Sequence, residues 1–334
     1  MRLPLRASLL MVCTLLSLAG TAQVARTRMV VLMGARFDFT IVAADSLSAE
    51  RYIDTCIAEV SRIEFLISDW KPASQVSQVN QQAGIAPVKV DREVLELTER
   101  AIRISEQTGG AFDISFAAME KIWKYDGSMT QMPTEEAVMK AVSKVGYRNI
   151  VVDRERSTIF LKLPGMKIGF GALGEGYATD RCRDMMISRG IKAGIVNGSG
   201  DMSTWGRQPD GSHWTVGISD PFERGDLYAV LPLRTSAVVT SGSYEKYIEL
   251  NGKRYSHIIN PATGYPATGL MSVTVFGPSA ELANAFSTSI MVMGKEAGFK
   301  LLRQYPDYRC IMVSDDKKFY TSRGVHLKRY RVKT

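Results

Sequence analysis

The chain of 334 residues is poor in cysteine (four), histidine (three) and tryptophan (four). It contains no Cys-x-x-Cys pair, which excludes a structural zinc site, and four thiols are too few for a disulfide scaffold. A hydrophobic core must therefore hold the fold, and the length is ample for one. Linkers, internal repeats and low-complexity tracts are also missing. With 45% hydrophobic and 23% charged residues, disorder, collagen and coiled coil are excluded. The one conspicuous apolar run, residues 9–18, is shorter than the ~20 residues that span a bilayer. Blocks of Lys and Arg are absent except for a short tail, Lys328-Arg329-Tyr330-Arg331. The formal charge of +8 therefore does not point to nucleic acid as a partner.

What is present begins with a leader. Arg2 and Arg6 precede the apolar run, and the small residues Ala19, Gly20 and Ala22 follow it. This is the pattern of a secretory signal over residues 1–22, with a mature chain of residues 23–334. Cys13 sits inside the apolar run behind bulky Met11 and Val12, so a lipoprotein cysteine is not the reading. Without the leader, 40 basic side chains face 34 acidic ones, a net of +6. Cys56, Cys182 and Cys310 remain, an odd number that implies no disulfide; Cys56 and Cys182 lie in helical patterns, as small buried hydrophobes do.

Apolar residues at Ile53, Cys56, Ile57, Val60, Ile63 and Leu66 recur at three and four, which predicts an amphipathic helix over residues 46–66. Asp91 opens a second helical pattern that stops at Gly109-Gly110. Pro133-Thr134 opens a third, ended by Gly146. Strands dominate later, around residues 150–152, 158–161, 193–196, 214–218, 228–233, 238–240, 247–250 and 255–259. Asn251-Gly252 marks a hairpin turn within that series. Helices near residues 281–293 and 295–305 precede a last hairpin at 310–320. Because helices and strands do not alternate strictly, the expectation is one large α+β domain, helix-rich in its N-terminal part and sheet-rich in its C-terminal part.

Four segments carry candidate chemistry. Gly169-Phe170-Gly171-Ala172-Leu173-Gly174-Glu175-Gly176-Tyr177 runs into a helix expected near Ala178. Glycines ahead of a helix N-terminus let amides approach a phosphate, although neither a P-loop nor a dinucleotide fingerprint is complete; a tight helix-on-sheet turn explains the glycines equally well. Asn197-Gly198-Ser199-Gly200-Asp201 ends a strand and is either a cleft wall or a turn. Thr240-Ser241-Gly242-Ser243-Tyr244 and Ser256-His257-Ile258-Ile259-Asn260-Pro261 put His257 among hydroxyls, as an acid–base group or a structural histidine. In Ala283-Asn284-Ala285-Phe286-Ser287-Thr288, Asn284 and Thr288 share a helix face. Their oxygens suit a hard cation, while helix capping by Ser279 and Glu281 is the plainer alternative.

Together with Met33-Gly34-Ala35, Ile67-Ser68-Asp69-Trp70 (with Ser74 and Asn80), Gly110-Ala111-Phe112-Asp113 (with Trp123) and Trp214-Thr215-Val216-Gly217-Ile218-Ser219-Asp220-Pro221, these segments occur in an order that resembles the ApbE family of FAD:protein FMN transferases. The resemblance covers nearly the whole mature chain. It implies a single ApbE-like domain with an FAD cleft between its helix-rich and sheet-rich parts. It also implies Mg²⁺-dependent transfer of the FMN half of FAD to a Ser or Thr hydroxyl of a target protein, releasing AMP. By matched position, Met33, Trp70, Ala111, Phe112, Asp113, Gly169, Glu175 and Ile259 would contact the flavin nucleotide. Mg²⁺ would take the Ala172 carbonyl with Asn284, Thr288 and, in addition, Ser287; His257 would sit near the reacting phosphates. Target flavoprotein subunits of membrane-associated redox complexes would be the partners. The site would be the periplasm or the outer face of the inner membrane, with the basic tail as a peripheral contact to acidic lipid.

The sequence departs from the family pattern at Asn284 and Gly169, where Asp is usual, and at Gly198-Ser199-Gly200, where Gly-Gly is usual. Glu175 stands where Lys or Glu is expected. An amide at 284 removes one formal charge from the metal ligands. That loss motivates a rival reading, a non-catalytic FAD-binding or storage protein; a third reading is a Mg²⁺-dependent FAD pyrophosphatase, in which water replaces the protein hydroxyl.

Overall fold

The computed structural model describes residues 23–119, 122–223, 225–233 and 236–325. The leader and the basic tail, expected from sequence, lie outside the described residues. β1 (Val24–Leu32) turns through Met33-Gly34 into β2 (Ala35–Ala43), and α1 (Ser46–Ile67) follows. Next come α2 (Gln75–Gln81), the short β3 (Val88–Lys89), α3 (Arg92–Gln107), α4 (Glu135–Val142), β4 (Ile150–Asp153) and β5 (Thr158–Leu161). α5 (Gly174–Ser188) leads into β6 (Ala193–Gly198), β7 (Asp201–Trp205), β8 (Thr215–Ser219), β9 (Leu227–Pro232) and β10 (Ala237–Gly242). The chain continues through β11 (Tyr247–Leu250), β12 (Lys253–Ser256), β13 (Leu270–Gly277), α6 (Ala280–Met293), α7 (Lys295–Leu302), β14 (Arg309–Ser314) and β15 (Phe319–Thr321).

Eight strands form one antiparallel sheet in the order β1-β2-β6-β7-β10-β13-β14-β15. The α+β class expected from sequence is what folds, with the first two strands of the chain supplying one side of the main sheet. α1, α5 and α6 lie side by side on one face. α1 buries Ala49, Ile53, Cys56, Val60 and Ile63, the three-and-four stripe, against Phe37, Phe39 and Ile41 of β2. Its N-terminus is capped by Asp45, whose carboxylate accepts the Ser48 amide at 2.8 Å. On the opposite face the β8–β9 hairpin covers Val238, Phe276 and Ile311 with Trp214, Val216 and Ile218. Cys56, Cys182 and Cys310 are buried free thiols.

Several boundaries differ from expectation. α5 begins at Gly174 rather than near Ala178, with glycines inside its first turn. Packing explains the glycine: a Cβ on Gly176 would stand 2.5 Å from the Ala280 carbonyl oxygen, where α5 meets α6. Gly176→Ala is therefore expected to cost about 1–3 kcal/mol through overpacking, read as a lower denaturant midpoint; an unchanged midpoint would show that the two helices can part freely. α4 ends at Val142, before Gly146, and the strand expected to reach Ile259 stops at Ser256. α7 stops at Leu302 rather than Tyr305, short of Pro306. α2, β1, β7 and β13 were not expected from periodicity.

A buried ionic knot fixes α6 against α5 and β7. Asp180 accepts Ser203 Oγ at 2.7 Å and Arg183 Nη1 at 2.8 Å through one oxygen. Its other oxygen accepts Ser279 Oγ at 2.7 Å and the Glu281 amide at 3.1 Å. Glu281 in turn accepts Arg100 Nε at 2.6 Å. The start of α6 is thereby set in register, and with it the face that carries Asn284 and Thr288.

Candidate active site

Where the glycine-rich entry to α5 meets α6 and the end of β10, a cavity of about 610 Å³ opens between the early helical part and the later strands. Met33, Trp70, Ala111, Phe112, Asp113, Gly169, Ala172, Glu175, His257, Ile259, Asn284 and Thr288 all line it. Ser287 does not. It is fully buried below the wall, where its hydroxyl lies 2.8 Å from Ser241 Oγ and donates to the Asn284 carbonyl at 3.0 Å. Thr288 Oγ1 also lies 3.3 Å from Ser241 Oγ, but Thr288 borders the cavity.

The tip of the β1–β2 hairpin forms one lip. Met33 and Gly34 have φ of 55° and 73°, as a two-residue turn with two left-handed positions requires. Beside it stands Trp70, whose ring would lie 4.0 Å from a Cβ on Gly34 and which has 68% of its surface exposed. The loop carrying it is shaped by Ser74, which caps α2 through the Ser77 amide at 3.0 Å and donates to the Ser68 carbonyl. Asn80 pairs with both backbone groups of Ile168, at 2.9 and 2.8 Å, and so aligns the approach to Gly169. A Cβ at Gly169 would lie 3.0 Å from Asp69 Oδ2. The Asp69 carboxyl thus stands beside the position where the family pattern has its own aspartate.

Asp113 borders the cavity, but its carboxylate is committed elsewhere. It accepts the Ser115 amide at 2.8 Å, Ser115 Oγ at 2.6 Å and the Tyr147 amide at 2.8 Å. Burial pushes its pKa up against the pull of those bonds. It shapes the loop that presents Ala111 and Phe112. Trp123, another motif residue, donates Nε1–H to the Gly264 carbonyl at 2.8 Å and packs on Ile248 and Leu250. It supports the β11–β12 hairpin ahead of His257.

His257 is held at the cleft by the Lys246 carbonyl, which accepts its backbone amide and lies 3.0 Å from Nδ1. A carbonyl can only accept, so Nδ1 carries the proton and Nε2 of the neutral ring is left with its lone pair. Burial, with the Lys246 charge adding to it, lowers the pKa below the usual 6.5. Tyr125 stands edge-on to the ring at 6.3 Å and donates its hydroxyl to the Ser256 carbonyl at 2.7 Å.

The deep end is acidic. Burial pushes Glu175 up to about 7, against the pull of Lys246. Asp201 is 5% exposed and pushed well above the usual carboxylate range by burial, then by the charge of Glu175. It follows the Ser199-Gly200 turn, whose φ values of 51° and 107° make a tight hairpin between β6 and β7. Asn284 donates Nδ2–H to Asp201 Oδ2, and Thr288 Oγ1 lies 3.5 Å from Asn284 Oδ1. Among the described residues no group of three or more His, Cys, Asp or Glu is placed to hold a metal. The oxygen-bearing residues available are instead Asn284, Thr288 and Ala172, which all line the cavity. These hard oxygen donors fit a cation of the Mg²⁺ type.

Arg36, Asp69, Asp201, Ser241 and Lys246 also line the cavity and were not singled out from sequence. Asp69, Asp201 and Ser241 lay inside recognised motifs; Arg36 and Lys246 had no local signal.

An antiparallel sheet backed by three helices, with a histidine and acid- and hydroxyl-bearing side chains lining one cleft, defines an α+β protein with a polar active-site-like cavity. Residues 33–312 match the ApbE family, and the chain belongs to it. It is 32% identical over 277 residues to the FAD:protein FMN transferase of Treponema pallidum, covering 78% of this chain and 76% of that one. A second FAD:protein FMN transferase, from Klebsiella pneumoniae, is 30% identical over 329 residues, covering 95% and 94%. Among solved structures, the ApbE protein of Thermotoga maritima aligns with a TM-score of 0.82 at 28% identity, covering 90% of this chain and 97% of that one. The flavinyl transferase ApbE of Pseudomonas stutzeri, in its apo form, aligns at 0.78 and 25%, covering 90% and 94%.

Proposed function

We propose that the chain is an FAD:protein FMN transferase, which moves the FMN half of FAD onto a Ser or Thr hydroxyl of a target protein and releases AMP. The observation that carries the reading is the juxtaposition, in one cavity, of His257 with a free Nε2 lone pair and the Asn284–Thr288 oxygen wall. The acceptor oxygen attacks the phosphorus on the FMN side. The bond from that phosphorus to the bridging oxygen breaks, AMP leaves with the bridging oxygen, and the hydroxyl proton passes to His257 Nε2. Ala172, Asn284 and Thr288 would hold Mg²⁺, which when bound neutralises charge on the pyrophosphate. Glu175 and Lys246 flank the same end, and the Met33–Gly34 lip and Phe112 enclose the nucleotide.

Trp70, exposed at the mouth, offers its indole face to the flavin ring. Trp70→Ala should weaken FAD binding by about 1 kcal/mol, roughly fivefold, in a fluorescence-quenching titration. Unaltered affinity would remove Trp70 from the flavin site.

The leader-like residues 1–22 support export to the periplasm or the outer face of the inner membrane. The target class is then flavoprotein subunits of membrane-associated redox complexes, with the tail at residues 328–331 as a contact to acidic lipid. No described helix is long and apolar enough to cross a membrane. The test is to incubate the mature protein with FAD, Mg²⁺ and an acceptor subunit, followed by denaturing electrophoresis. Flavin fluorescence in the acceptor band supports transfer. Free FMN and AMP without labelled acceptor would indicate a pyrophosphatase, and intact FAD co-eluting with the protein a storage role.

A further inference from the structure

In most side-chain arrangements a neutral amide is a weak choice for a divalent cation, because it brings an oxygen but no charge. Asn284 is 6% exposed and does not stand alone: directly behind it lies Asp201. The Asp201 carboxyl accepts Asn284 Nδ2–H and also a hydrogen bond from the Gly176 amide in the first turn of α5. A carboxamide has its nitrogen and oxygen on opposite sides of one carbon. Fixing Nδ2 on Asp201 therefore fixes Oδ1, which lies toward Thr288 Oγ1 at 3.5 Å. Turning the amide over would set Oδ1 against Asp201 and carry Nδ2 to the Thr288 side. The turn that carries Asp201, the helix that carries Glu175 and the helix that carries Asn284 meet at this one buried contact.

We propose that Asp201 is a positioning residue of the cation site, which orients the Asn284 amide oxygen toward Thr288 and the cleft. The inference rests on the reading that a divalent cation is held at Asn284 and Thr288. It extends that reading to a residue at the deep end of the same cavity, which acts through Asn284. The loss of such an orienting partner typically costs 10–100-fold in metal affinity.

The test uses the mature protein with FAD bound, titrated with Mg²⁺ in a calorimeter and with Mn²⁺ by the electron paramagnetic resonance of the free ion. Asp201→Ala should weaken cation binding by about tenfold or more. Asp201→Asn, which keeps an oxygen acceptor, should fall between this variant and the parent. The double variant Asp201→Asn with Asn284→Asp exchanges donor and acceptor and moves the carboxylate to the ligand. It should recover the parent affinity or exceed it. Parent-like cation binding in both single Asp201 variants would overturn the proposal, as would a double variant no better than Asp201→Asn. If Asp201→Ala does not fold, Asp201→Asn and the double variant still decide the matter. Asn284→Ala separates the two levels of the argument. Cation binding unchanged in that variant would overturn the siting of the cation and the proposal with it. Binding lost there but retained in the Asp201 variants would overturn the proposal alone.

Discussion

Replacing His257 with alanine is expected to slow flavin transfer by roughly 10²–10⁴-fold, the span that a positioned general base contributes, while FAD still binds. The expectation follows from the tautomer. With Nδ1–H committed to the Lys246 carbonyl, Nε2 is the one ring atom able to take the acceptor proton. The pKa, lowered below 6.5 by burial against the pull of the Lys246 carbonyl hydrogen bond, keeps that atom unprotonated at neutral pH. The parent rate should therefore rise with pH through an acid limb below 6.5 and then level. Single-turnover rates at saturating FAD test both points. His257→Ala should be slow and lack that limb. A variant with parental rate, or a slow variant that keeps the limb, would show that the proton goes elsewhere.

The second large effect concerns stability. Asp180→Ala is expected to destabilise the fold by about 3–5 kcal/mol, the usual cost of breaking a buried ion pair from one side. Asp180 fills both oxygens with partners from three elements, and its removal leaves Arg183, 11% exposed at its side chain, without its buried counter-charge. A lower melting temperature, by roughly 5–10 °C for a chain of this size, is the readout. Asp180→Asn keeps an acceptor and should lose about half as much. The consequence for the site is registration, because α6 starts at this knot. Loss of stability below about 1 kcal/mol would show that Arg183 finds another partner, its Asp184 bond or the Pro278 carbonyl, at little cost.

Much of this arrangement was legible in the sequence, for reasons that differ from residue to residue. α1 was visible because its buried stripe has the helical period and a polar opposite face. The Asn251-Gly252 hairpin was visible because its turn demands those residues, and Asn251 has a φ of 54°. β13, by contrast, is buried along nearly its whole length, so it shows no alternation to read. α2 is a single polar stretch of 7 residues whose helix is fixed by the Ser74 cap. The onset of α5 was misjudged because glycines argue for a loop locally, and only the contact with Ala280 explains them.

Within the site, the motif residues divide into two kinds that sequence alone does not separate. His257, Asn284 and Thr288 face the cavity, whereas Ser74, Asn80, Trp123, Asp180 and the carboxylate of Asp113 spend their hydrogen bonds on backbone or buried partners. Asp201 lies inside a recognised motif but has no local signal of its own role. Its partner Asn284 is 83 positions away, a separation that no local pattern spans. Ser287 and Thr288 both approach Ser241 Oγ, but Ser287 is fully buried and does not border the cavity.

The most direct measurement is mass spectrometry of an acceptor subunit after reaction with FAD and Mg²⁺, together with quantitation of AMP. The account predicts FMN joined through its phosphate to one Ser or Thr of the acceptor, with one AMP released for each flavin attached. FMN found free in solution in amounts equal to AMP, with the acceptor mass unchanged, would contradict it.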